Sequence, residues 1–371
     1  MSVIYSISTA VPEFKHKQES IFEFMSAIYG VGENEKRSLK LLYDRSGIES
    51  RYSTISDYSS LPEKRTFYPA TADLEPFPKL EERMEYFNHK ALELSVDAVN
   101  TCIGAIPVSS ITHLITVTCT GISAPGLDIM LVEALKLNAN IHRSSINFMG
   151  CYAAIHALKQ ADLISKSDPN ALVLIVCVEL CTLHFQKDYD KDNIGANLLF
   201  ADGASAVLVG DESNATYTKG LKMKNFYSEI SLSGKSDMAW QIGGKGFLMT
   251  LSSYIPELIK VGIKSLVQNA LERLNLQPDE IKHWAIHPGG RKILEVIQNE
   301  LQLQAQDLEA SYKVLKNYGN MSSPTILFVL KEIWQNKMQF TEQKELVFAA
   351  SFGPGLTMET MVLENFNSFD I

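Results

Sequence analysis

The sequence predicts an α/β protein made of two copies of one unit, and three observations point to it. Short apolar runs alternate with helical segments from about residue 100 onward. The run 171–178 is continuously apolar and rich in Val, Ile and Leu, as in a strand covered on both faces. Landmarks also recur at a fixed distance. His113 and His283, at two strand starts, lie 170 positions apart, and Cys151 and Asn320, each after a glycine at a loop-to-helix junction, lie 169 apart. Two repeats at one offset imply two halves packed around a pseudo-twofold axis, here 1–215 and 216–371, with the polar stretch 211–219 at the boundary.

Taken in order, the first hundred residues read as helical and charged, with a Pro-rich break over 61–78. A strand at 113–118 ends in the turn-rich segment 120–126. A second strand, 145–149, runs directly into a helix at 151–165. Strands at 171–179 and 204–209 follow, the latter after the Asp202-Gly203 turn. The second half repeats this order. A strand at 283–287 ends in Pro288-Gly289-Gly290, a helix opens at Asn320 and runs to about Trp334, and strands occupy 344–351 and 357–363 on either side of Gly353-Pro354-Gly355.

Composition narrows the function. With 371 residues, 46% hydrophobic and 21% charged, the chain can bury a large core without staples. A net charge of −9 argues against a nucleic-acid binder held by a basic surface. The longest apolar run, eight residues, is far short of the ~20 that cross a bilayer, and Met1-Ser2-Val3-Ile4-Tyr5 lacks a basic leader. Five cysteines (Cys102, Cys119, Cys151, Cys177, Cys181) are too few and too scattered for a disulfide framework, and no histidine stands at zinc-ligand spacing from them. The expectation is a reduced, cytoplasmic protein with no metal site.

Three positions carry chemistry. Cys151 follows Gly150 at the start of a helix, where the partial positive charge of the helix end favours a thiolate able to attack a thioester. The alternative is one more inert buried cysteine. His287 sits where a strand ends in Pro-Gly-Gly, and α/β proteins gather their active sites at strand ends. A lone histidine is more often structural. Asn320 reads either as a helix cap or, as the repeat mate of Cys151, as a side chain aimed into the same cavity.

Joined in order, GC at 150–151, VCVE at 176–179, LFADG at 199–203, IHPGG at 286–290, YGNMSSP at 318–324 and FGPGLTMET at 352–360 resemble the chalcone synthase-like, or type III, polyketide synthases of the thiolase-fold superfamily. The resemblance implies a five-layered αβαβα arrangement and a Cys-His-Asn triad at Cys151, His287 and Asn320. It implies a starter acyl-CoA loaded on Cys151, decarboxylative condensation with malonyl-CoA, cyclisation of the polyketide, and a homodimer. It implies no cofactor beyond the CoA thioesters themselves. It also marks cavity positions. Phe200 matches one gate phenylalanine and Met249 stands for the other. Cys119, Ala124, Cys181, His184 and Trp240 replace residues of the plant enzymes, which leaves the chalcone product itself in doubt. Ser322 and the backbone at Gly353 and Pro354 approach the cavity. Arg45, in the basic stretch 36–45, matches a CoA-phosphate contact, although a solvated helix face explains that stretch equally well. A thiolase would need a second cysteine in the C-terminal repeat, and none lies beyond Cys181. A hydroxymethylglutaryl synthase-like enzyme would need a glutamate where Cys119 and Thr120 stand. A ketoacyl synthase III-like enzyme is the nearest competitor, and a non-catalytic binding subunit is a further alternative.

Overall fold

The apolar run 171–178 does form a strand buried on both faces, and the rest of the molecule is arranged around it. The computed structural model describes residues 1–214, 217–338 and 343–367. The half boundary expected at 215/216 lies outside the described residues. The strands are β1 (Ser2–Ala10), β2 (Phe14–Lys17), β3 (Ser50–Ser53), β4 (His113–Thr118), β5 (His142–Asn147), β6 (Val173–Leu180), β7 (Asp202–Asp211), β8 (Lys219–Ile230), β9 (Met238–Gly243), β10 (Gly246–Leu251), β11 (His283–Ile286), β12 (Leu346–Gly353) and β13 (Thr357–Asn367).

Nine of them hydrogen-bond in the order β11-β12-β13-β8-β1-β7-β6-β4-β5. β5-β4-β6 and β11-β12 are parallel pairs and the remaining neighbours are antiparallel. The two halves meet at β1 and β8, through the short register Val3↔Lys222 and Ile4↔Leu221. Along β6, Leu174, Val176 and Val178 enter one apolar cluster while Val173, Ile175 and Cys177 enter another, the period-2 alternation of a doubly covered strand. The first cluster includes helix Leu80–Ile103. The second holds helices Ala153–Ser167 and Thr325–Ile333 between the two half-sheets. A third packs helices Ile255–Glu272 and Arg291–Glu300 on the far side of β11 and β12. Helix, sheet, helices, sheet, helix is the five-layered order expected.

The first hundred residues are not simply helical. They contribute β1, a central strand, along with β2 and β3. β1 hides its character because Ser2 and Ser8 are buried in it, their hydroxyls bonded to Asp162 and to the Ala98 carbonyl. β8 lies in the stretch after the polar boundary, where the sequence pattern predicts no strand. Asn320 does not open a helix. The regular helix starts at Thr325 with Pro324 as its N-cap, and 320–324 form a tight turn in which Ser322 takes a φ of 56°.

Candidate active site

Three loops from both halves converge on one cavity of about 630 Å3, whose lining includes Cys151, His287 and Asn320. The Cys151 loop is held by close backbone packing. Gly150 has a φ of 77°, and a side chain there would collide with Pro354. A side chain at Gly353 would collide with Tyr152 and crowd the Cys151 nitrogen. The Gly150 and Gly353 turns therefore fit only because both lack a Cβ.

Cys151 is 7% exposed, and its sulfur stands 3.9 Å from Asn320 Oδ1. It sits in a 3-10 turn, Gly150–Tyr152, ahead of the regular helix Ala153–Ser167. Burial pushes its thiol up to about 11, against the lowering expected from a helix end. His287 is 1% exposed, follows β11 and pairs its backbone nitrogen with the Ala350 carbonyl at 2.8 Å. Neither ring nitrogen has a hydrogen-bond partner, and burial lowers its pKa to about 3. Each residue alone is thus driven to its neutral form.

Asn320 is not a helix cap. Its Oδ1 accepts from the Ser322 nitrogen at 2.8 Å, which leaves Nδ2 only a long 3.4 Å approach to the Gly289 carbonyl. Its backbone bridges to the segment Leu199–Ala201 by two 2.9 Å bonds, fixing it beside Phe200.

Phe200, Met249, Cys119, Trp240, Ser322 and Pro354 line the cavity as well. Other expected contacts fall elsewhere, and Gly353 packs on Tyr152 without lining the cavity itself. His184 faces an adjoining cavity with both nitrogens engaged, to the Thr120 carbonyl at 2.7 Å and from the Phe247 nitrogen at 3.0 Å, so it ties the β9-β10 hairpin to the loop after β4 and has no ring nitrogen free for substrate. Arg45 lies exposed in the last turn of helix Glu33–Arg45, outside both cavities, at the solvent side where a helix end holds it. Ala124 is exposed on its loop and lines neither cavity.

The sequence reading gave no role to Glu179, a fully buried carboxylate. It accepts from the Cys119 nitrogen (2.9 Å), the Thr120 hydroxyl (2.7 Å) and the Ser323 hydroxyl (2.6 Å), clamping the two halves together beneath the site. Burial raises its pKa. A single carboxylate closing an otherwise apolar strand was the available signal. Arg51, also missed, donates to the carbonyls of Phe200 and Asn197 and so holds the gate segment. No helix is long and apolar enough to cross a membrane, and no group of three or more metal-type ligands occurs, both among the described residues.

Known proteins resemble this arrangement closely. The family model for chalcone and stilbene synthases, N-terminal domain, matches residues 1–213, and that for the C-terminal domain matches residues 227–367. Polyketide synthase 37 of Dictyostelium discoideum is 29% identical over 372 residues, which are 98% of this chain and 12% of that protein. An alpha-pyrone synthesis polyketide synthase-like protein of Mycobacterium tuberculosis is 28% identical over 98% of this chain and 91% of its own length. The crystal structure of PKS-I from the brown alga Ectocarpus siliculosus superimposes with a TM-score of 0.91 at 29% identity, covering 98% of both chains. The chain spans about a tenth of the Dictyostelium relatives it matches, at 11% and 12%.

Proposed function

This chain belongs to the chalcone and stilbene synthase family, and on that premise we propose that it is a type III polyketide synthase that loads a starter acyl group from CoA and extends it with malonyl-CoA. The observation that carries the reading is His287: a buried imidazole with no partner on either nitrogen, lining the same cavity as a thiol and a carboxamide.

A neutral imidazole accepts a proton at one nitrogen and donates from the other. In loading, the Cys151 proton passes to His287, the sulfur attacks the thioester carbonyl, and CoA leaves as its thiol after taking that proton. Malonyl-CoA then enters. Loss of carbon dioxide leaves the electron pair on the α-carbon as an enolate, whose oxygen receives hydrogen bonds from His287 and from Asn320 Nδ2. The α-carbon attacks the acyl group on Cys151, the carbon–carbon bond forms, and the Cys151 thiolate departs. The lengthened chain, now on CoA, reloads for another round or closes into a ring. Ser322, Met249, Phe200, Cys119 and Trp240 shape the space it folds in.

A homodimer is part of the proposal. β5 ends the described sheet with an unpaired edge, and Ile122 and Ile129 beside it are 50% and 43% exposed. A monomeric sedimentation coefficient would remove this element. A reduced, cytoplasmic setting fits the five free cysteines.

The decisive experiment feeds radiolabelled malonyl-CoA with a panel of acyl-CoA starters. Wild type is expected to give labelled polyketide, and Cys151→Ala none. Continued incorporation by Cys151→Ala overturns the assignment of Cys151. A single condensation that requires malonyl on acyl carrier protein would place the chain with the ketoacyl synthases instead.

A further inference from the structure

Adjoining the catalytic cavity lies a second one, whose lining encloses about 550 Å3 of empty space. The two share Cys181, Phe200, Trp240 and Met249 in their walls, so these four side chains form the partition between them. At its far side the second cavity reaches Ile21 and Met25 of helix Gln18–Tyr29.

By residue names the lining is mixed, yet several of its polar groups are already in use. Arg51 gives Nε to Gln18 Oε1 at 2.9 Å and its terminal nitrogens to backbone carbonyls. His16 engages the Ser59 hydroxyl at 2.7 Å and the Ile55 carbonyl at 2.9 Å. Tyr58 donates to the Thr182 carbonyl at 2.6 Å, and both nitrogens of His184 are bonded. A ligand hydroxyl or carboxylate entering here would give up water and gain little in return, whereas a hydrocarbon gives up nothing.

Two of the four partition residues are tethered. Trp240 donates to the Cys119 carbonyl at 2.5 Å, and Phe200 is held at its backbone by Arg51. Met249, an unbranched and half-buried thioether, is the side chain free to swing.

We propose that the starter is the CoA thioester of an unbranched fatty acid, its carbonyl at Cys151 and its tail led past Met249 into this second cavity. The inference rests on the polyketide synthase reading and names the substrate class for it.

The test measures kcat/KM for condensation, with Cys151 acylation followed by mass spectrometry, using acetyl-, hexanoyl-, dodecanoyl- and coumaroyl-CoA. The expected result is a rise with alkyl length, about two- to fourfold per added methylene until the cavity is filled. Met25→Trp, which blocks the far end, is expected to lower the dodecanoyl-to-acetyl ratio about tenfold. Met25→Phe runs in parallel, with thermal melts, so that a misfolded tryptophan variant does not decide the matter. Acetyl- or coumaroyl-CoA equal to or better than dodecanoyl-CoA in wild type overturns the inference. So does a folded Met25 variant that slows every starter alike. Absence of product from all four starters overturns the polyketide synthase reading, and the inference with it.

Discussion

His184 and His287, which line the two cavities, are alike in burial and unlike in bonding. His184 and His287 are both almost fully buried, at 4% and 1% exposure, and burial lowers the pKa of each to about 3. His184 has a partner on each nitrogen and stacks on Phe247 at 4.1 Å. His287 has a partner on neither. Burial and a displaced pKa therefore do not separate structural from chemical groups in this molecule. The number of free lone pairs and protons does, because a buried polar atom without a partner is retained against its own desolvation.

The largest expected effect is on activity. His287→Ala should lower condensation by about 10²–10⁴, and Asn320→Ala should lower malonyl decarboxylation by about 10²–10³. The thermal midpoint of His287→Ala should stay level or rise, since no hydrogen bond is removed. Unchanged release of labelled carbon dioxide from both variants would end their assignment to the enolate.

His184→Ala should reverse the pattern. It leaves the Thr120 carbonyl and the Phe247 nitrogen without partners, each worth about 1–3 kcal/mol, so urea melts should shift strongly while activity per folded molecule falls less than that of His287→Ala. A His184 variant of normal stability with no activity would move it from the frame to the chemistry.

The smallest effect is in pH dependence. Both histidines are held near 3 against an ordinary value of about 6.5, so between these values the unfolded chain binds more protons than the folded one. Their contribution to stability is complete above about pH 6.5 and is lost as pH falls toward 3. Asp202, raised by burial to about 6, works the other way, giving up its contribution as pH rises from its ordinary 3.8. Replacing either histidine with alanine should flatten the acid limb of urea melts taken between pH 5 and 7. A limb as steep as wild type would mean that other groups drive acid unfolding.

Much of this was legible in the sequence where the signal is local. A glycine before a cysteine, a strand ending in Pro-Gly-Gly and a long apolar run each declare themselves within a few residues, and their common spacing exposes the two halves. What was not legible depends on partners far along the chain. His184 read as a substrate contact because its engagement comes from Thr120 and Phe247, on other elements. β1 read as part of a helical region because its serines look exposed until Asp162 and Ala98 are seen beside them. Glu179 stands out as the one charge in an apolar strand, yet its role depends on donors from both halves. The second cavity draws its wall from segments as distant as Ile21 and Met249, so no stretch of sequence announces it.

In β1, Val3 pairs with Gly210 on one side and Lys222 on the other, so this strand acquires its neighbours only after most of the first half has followed it out of the ribosome. Until then it is an open template for unwanted pairing, and closure must join distant ends of the chain, which is slow. A nascent chain arrested before β7 is therefore the form of this protein with the greatest need of a chaperone.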